Sequence, residues 1–177
     1  MKPTISILAI LATVSGLAQA DASWASLTID VSGYEFRDEL GSPNNEILDV
    51  YIWSEAWINC IEWNLTLTTL PPPGATIQSW GSEANIDFNQ TLNLQVSNTD
   101  EGVVNELNKG SAFVDYTLDR DGKLNLEFWD SYDDAEGYAD AVLEEGSYIT
   151  VYGAWPPSPG PLAAMGICGI FAARRRR

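Results

Sequence analysis

The stretch "WINCIEWNLTLTTL" alternates with a period of two and runs into "PPPG". Trp57, Ile61, Trp63, Leu65 and Leu67 share odd positions; Cys60, Glu62, Asn64, Thr66 and Thr68 share even ones. Such alternation belongs to a strand with one face on a core and the other toward water. A helix would repeat its apolar positions every three to four residues. The odd row, Trp57 and Trp63 included, is therefore expected in the core. Ile58 and Asn59 interrupt the pattern near its start. Proline cannot donate to a ladder and glycine opens a turn, so the strand stops at Leu70.

The same rule organises the rest of the body. Leu27, Ile29 and Val31 form one row, and Leu92, Leu94 and Val96 another. Leu48, Val50 and Ile52 are backed by Ile47, Tyr51 and Trp53, which suggests a strand covered on both faces. "SYITVYG" is rich in β-branched and aromatic residues. In "AFVDYTLDRDGKLNLEFWD", the rows Val114, Tyr116, Leu118 and Leu124, Leu126, Phe128 flank a turn with Gly122 at its tip, which predicts a β-hairpin. "DDAEGYADAVLEE" offers one short helix through Tyr138, Ala141, Val142 and Glu145. Many short strands without helix alternation predict an all-β, antiparallel β-sandwich over residues 21–153.

The ends differ from the body. Residues 1–20 carry one charge, Lys2, an apolar run from Ile5 to Val14, and the small-x-small site formed by Ala18 and Ala20. That is the pattern of a secretory signal helix cleaved before Asp21. All 25 acidic residues lie in the body, against four basic ones, Arg37, Lys109, Arg120 and Lys123, which leaves it at −21. Such a body repels nucleic acid and anionic lipid. Cys60 is expected as a free thiol, because Cys168 sits in the terminal apolar run.

The chemistry of the body is sparse. There is no histidine, which removes the usual general base and the commonest zinc ligand. There is no glycine-rich phosphate loop either. "DRDGK" lacks the calcium-loop spacing, since glycine follows the second acid directly. A non-enzymatic role without an obligatory cofactor is expected. Crowded carboxylates at Asp130, Asp133, Asp134 and Glu136 would draw calcium if they held any cation; a solvated acidic loop is the plainer expectation. Of seven tryptophans, Trp80, beside Gly81, and Trp129, on the polar side of its strand, are the ones placed to face a ligand. Aromatic faces stack on sugars, so a carbohydrate-binding module for extracellular polysaccharide is one expected function. Asn64-Leu65-Thr66 and Asn89-Gln90-Thr91 match the N-glycosylation pattern, which matters only in a host with that machinery.

The C-terminus reads "PPSPGPLAAMGICGIFAARRRR". A proline-rich linker over residues 154–160 leads to an apolar segment and a basic end over 161–177. The thirteen uncharged residues from Pro161 to Ala173 would span about 20 Å as a helix, a short transmembrane segment. Arg174, Arg175, Arg176 and Arg177 would stop transfer on the cytoplasmic side. Proline motif, apolar segment and arginine cluster, behind an N-terminal signal, resemble the PEP-CTERM sorting signal of exported bacterial proteins. Pro157, Ser158, Pro159 and Gly160 stand where that motif would be, with serine in place of glutamate. The resemblance implies recognition by an exosortase-like membrane processing enzyme. It also implies delivery to the cell envelope, surface or extracellular matrix, with a structural or adhesive role. The body is loosely similar to the acidic ectodomains joined to such tails, some cohesin-like, which leaves immunoglobulin-like, cohesin-like and jelly-roll sandwiches as the expected architectures.

Overall fold

The computed structural model describes residues 23–76, 78–133 and 138–155. The expected signal helix, sorting motif, apolar tail and arginines lie outside the described residues. The strands run β1 (Ser23–Asp30), β2 (Glu35–Phe36), β3 (Glu46–Tyr51), β4 (Trp57–Thr69), β5 (Ala84–Phe88), β6 (Leu92–Gln95), β7 (Glu106–Thr117), β8 (Lys123–Asp130), β9 (Ala141–Leu143) and β10 (Tyr148–Trp155). A 3-10 turn, Gly81–Glu83, precedes β5.

All pairings are antiparallel, and the strands form two sheets. The first has the order β1-β10-β4-β9-β2, with β7 along the other side of β4; the second has the order β3-β8-β5-β6. One core joins them. Ile58, Ile61, Leu65, Leu67, Ile149 and Val151 of the first sheet meet Ile86, Phe88, Leu124, Leu126 and Phe128 of the second. Tyr34 stacks on Phe128 at 4.4 Å, and Phe36 meets the same ring edge-on at 5.9 Å. Each fully buried side chain of this size contributes about 1.5–3 kcal/mol. The arrangement is all-β and consistent with a β-sandwich.

The break at Ile58 and Asn59 is a β-bulge: the register against β7 shifts between Ile58 and Cys60. An extra residue reverses which side chains face inward. Ile58 is therefore buried, and the odd row enters the core only from Ile61 onward. Trp57 is corrected from core to outer face, where its Nε1 donates to Asp115 Oδ1 at 2.8 Å. Trp63 packs partly buried against the core and lies over Gly110.

Three other expectations change. β7 pairs with β4 and β8 pairs with β3 and β5, so the stretch with Gly122 crosses between sheets and is not a hairpin. Alternation identifies a strand but not its partner. The outer face of β3 is open, with Ile47 and Tyr51 exposed, so only its Leu48 and Val50 row is covered. No helix forms through Tyr138 to Glu145: Ala141–Leu143 is a strand paired to β2 and β4. Two inward positions, Ala141 and Leu143, fit a central strand equally well, and burial decides between the periods. β10 continues through Trp155, whose buried ring belongs to the domain.

Gly122 has φ +69°, and a Cβ there would sit 2.6 Å from Ser54 N and Trp53 C. Gly146 has φ +87° in open space. Gly146→Ala should cost about 1 kcal/mol from backbone strain alone. Gly122→Ala should cost about 3 kcal/mol, since the β3–β4 connection must also move. Urea titration of both variants checks the difference; equal losses would contradict the close approach.

Candidate functional site

Among the described residues, a concavity of about 410 Å³ is lined by Pro71, Ala75, Thr76, Gln78, Trp80, Glu101 and Gly102. Two loops build it: the proline-rich loop after β4 and the loop after β6. Backbone bonds tie them to each other and to their surroundings: Gly81 N donates to Glu101 O at 3.0 Å, Ser82 N to Thr99 O at 2.9 Å, and Ser79 N to Leu70 O at 3.3 Å. Gly102 lies under Gln78, where a Cβ would come within 2.5 Å of that side chain. Trp80 N donates to Glu83 Oε2 at 3.0 Å, and its ring is half exposed at the rim. The cleft thus offers one aromatic face, an amide, a hydroxyl and a carboxylate on a braced frame. Sequence reasoning singled out Trp80 and missed Thr76, Gln78 and Glu101. Both loops carry turn residues, but nothing in the sequence shows that they meet.

Trp129 lies elsewhere. It projects from the outer face of β8, opposite the buried Leu124, Leu126 and Phe128 row, and does not line the cleft. Its Nε1 donates to Asn93 Oδ1 at 3.3 Å, and Asn93 Nδ2 donates to Asn85 Oδ1 at 3.2 Å. Farther along the same face, Asp49 accepts from Asn125 Nδ2 and Lys123 Nζ, each at 2.9 Å. These two bonds hold the Asp49 carboxyl below its ordinary pKa. The face is a lattice of polar side chains that largely satisfy one another.

The acidic stretch is not uniformly solvated. Asp130 is fully buried, because it continues the inward row of β8 past Phe128. Its Oδ1 accepts from Tyr132 N at 2.9 Å, and its N donates to Asp38 O at 3.0 Å. Asp140 is also buried and accepts from Ser79 Oγ at 3.1 Å. Asp38 accepts from Ser42 Oγ and Asn44 Nδ2, each at 2.7 Å. Asp133 is half-buried, while Asp134 and Glu136 lie outside the described residues. Among the described residues no three acidic or cysteine side chains are grouped to hold a metal ion. Also among them, no helix is long and apolar enough to cross a membrane.

Cys60 is a free, half-buried thiol, and burial followed by the charge of Glu62 pushes its pKa up. Asn89 is engaged on both side-chain atoms, donating to Tyr116 Oη at 3.2 Å and accepting from Asn125 N at 2.6 Å. Against family models, curated proteins and solved structures, the chain shows no match.

Asp87 is buried on β5 with its Oδ2 accepting from Gln90 N at 2.7 Å. Burial raises its carboxyl pKa, Glu127 adds to the rise, and the Gln90 bond opposes it. The folded chain therefore holds this proton to higher pH than the unfolded chain does. Its contribution to stability falls as pH rises from the ordinary carboxyl range through the raised value. Asp87→Asn should raise the urea midpoint at pH 7 and leave it little changed at pH 3. A lower midpoint at pH 7 would refute this.

Proposed function

We propose that the chain is an exported bacterial protein of the cell envelope, surface or extracellular matrix, with a structural or adhesive, non-enzymatic role. The observation that carries this reading is the order of parts in the sequence. A signal-like residues 1–20 and the Pro157-Ser158-Pro159-Gly160 motif, apolar segment and four arginines enclose one acidic body. The reading is supported by the pairing of Ser23 with Trp155, which brings both connections to one corner of the domain. The two sheets are read as an immunoglobulin-like, cohesin-like or jelly-roll sandwich. An exosortase-like enzyme would process the tail near the proline motif while the apolar segment is held in the membrane. Fractionation and intact-mass measurement in the native host should find envelope or extracellular chains beginning near Asp21. Full-length chains in the cytosol with residues 1–20 attached would refute export.

A second reading, a carbohydrate-binding module, is favoured by the cleft at Trp80. A sugar ring would stack on the indole while Gln78, Thr76 and Glu101 meet its hydroxyls. Calcium, if used, would act at the acidic stretch around Asp130 and Asp133. On a glycan array, binding should fall about tenfold or more in Trp80→Ala. Trp129→Ala tests the half-buried indole on the outer face of β8, and a chelator that changes nothing would dismiss the calcium. An array without signal would leave the structural role alone.

A further inference from the structure

The outer face of the first sheet is graded along its strands. Four cross-strand rows span β1, β10, β4 and β7. The row nearest the chain ends is Trp24, Ala154, Trp57 and Thr117; the next is Ser26, Tyr152, Cys60 and Phe113. Neither row contains a charge, but Asp115 stands between them on the same exposed face of β7. The third row brings Glu62, and the fourth brings Asp30 and Lys109. Phe113 is 90% exposed and Trp24 68% exposed, so the aromatic half is presented rather than packed away. Its two polar handles are anchored to carboxylates: Trp57 Nε1 donates to Asp115 Oδ1, and Tyr152 Oη to Glu62 Oε2, each at 2.8 Å.

We infer that this aromatic half-face lies against the headgroup layer of a lipid bilayer. The inference rests on the proposed membrane insertion of the tail. The occupant follows from where the chain leaves the domain. Trp155 ends β10 beside the Trp24–Ala154–Trp57 row, and only residues 156–160 separate it from the apolar segment. That connection reaches at most about 20 Å. Whatever bilayer holds the tail must therefore be close to these rings. Indole and phenol rings with an apolar body and a polar tip favour the membrane–water interface. The rows with Glu62, Asp30 and Lys109 then lie away from the lipid, and Asp115, hydrogen-bonded to the Trp57 indole, sits at the level of the polar headgroups.

Other occupants fit less well. Two bodies at −21 each repel, which opposes self-association through this face. Trp24 and Trp57, 5.6 Å apart, are tilted by 60°, so they do not make the coplanar platform a flat polysaccharide surface would need. The same negative charge selects zwitterionic rather than anionic lipid.

The test uses the full chain reconstituted into phosphatidylcholine vesicles. Flotation reports the tail, and nitroxide attached to the lipid headgroup reports the face by quenching tryptophan fluorescence. Trp24→Phe should lose a third or more of the quenchable emission, whereas Trp80→Phe and Trp129→Phe should lose almost none. Phe113→Asp, at a surface position outside the core, should reduce the quenching at least twofold without changing the thermal midpoint. Floating chains whose quenching ignores Trp24→Phe and Phe113→Asp would overturn the surface inference and leave the tail reading standing. Chains that fail to float would overturn both. A dimeric mass abolished by Phe113→Asp, or retention on insoluble polysaccharide abolished by Trp24→Phe, would also overturn it by assigning the face to another partner.

Discussion

Two chain crossings brace each other and hold the sheets in register. The connection from β3 to β4 and that from β7 to β8 run side by side. Ile52 N donates to Gly122 O at 2.9 Å, Leu118 N to Ala56 O at 2.8 Å, and Glu55 N to Asp119 O at 3.2 Å. A backbone leaving one ladder for another must satisfy its polar groups on the way. Here each crossing does so with the other, which lets Ile52, Ala56 and Leu118 be buried at the corner. The shared core depends on this arrangement, because it aims Ile58 and Leu124 at the same interior.

Most strands were legible in the sequence, and their partners were not; β2 and β5 went unread, and β9 was read as part of a helix. Alternation located the segments now seen as β1, β3, β4, β6, β7 and β8, and β-branched and aromatic content located β10. It could not reveal that β7 and β8 belong to different sheets, because pairing depends on contacts between distant residues. The bulge was visible as a fault at Ile58 and Asn59, but its effect on Trp57 follows only once a fault is treated as a reversal of faces. The segment at Ala141–Leu143 was ambiguous because three residues cannot distinguish two periods. Of the candidate site, Trp80 and the outward position of Trp129 could be read from their neighbours. The polar wall of the cleft could not, since Gln78 and Glu101 are brought together by tertiary structure.

The acidic composition also has a structural side. Most carboxylates solvate the surface, but Asp38, Asp130 and Asp140 are buried near the junction of β2, β8 and β9. Buried carboxylates are tolerated only with close donors. Serine and asparagine side chains and a backbone N–H group are among those donors: Ser42 and Asn44 for Asp38, Ser79 for Asp140 and Tyr132 N for Asp130. The period-two row of β8 points Asp130 inward, so this burial was in principle readable from the sequence.

The position of β10 carries a mechanical consequence. Its final residue is the last described point before the tail, and the strand lies between β1 and β4 with a ladder on each flank. A pull exerted from beyond Trp155 would act along the strand axis. Both ladders would then be loaded in shear, with many hydrogen bonds sharing the force at once instead of parting one by one. A body tethered from that end would resist drag best along the direction in which the tether pulls.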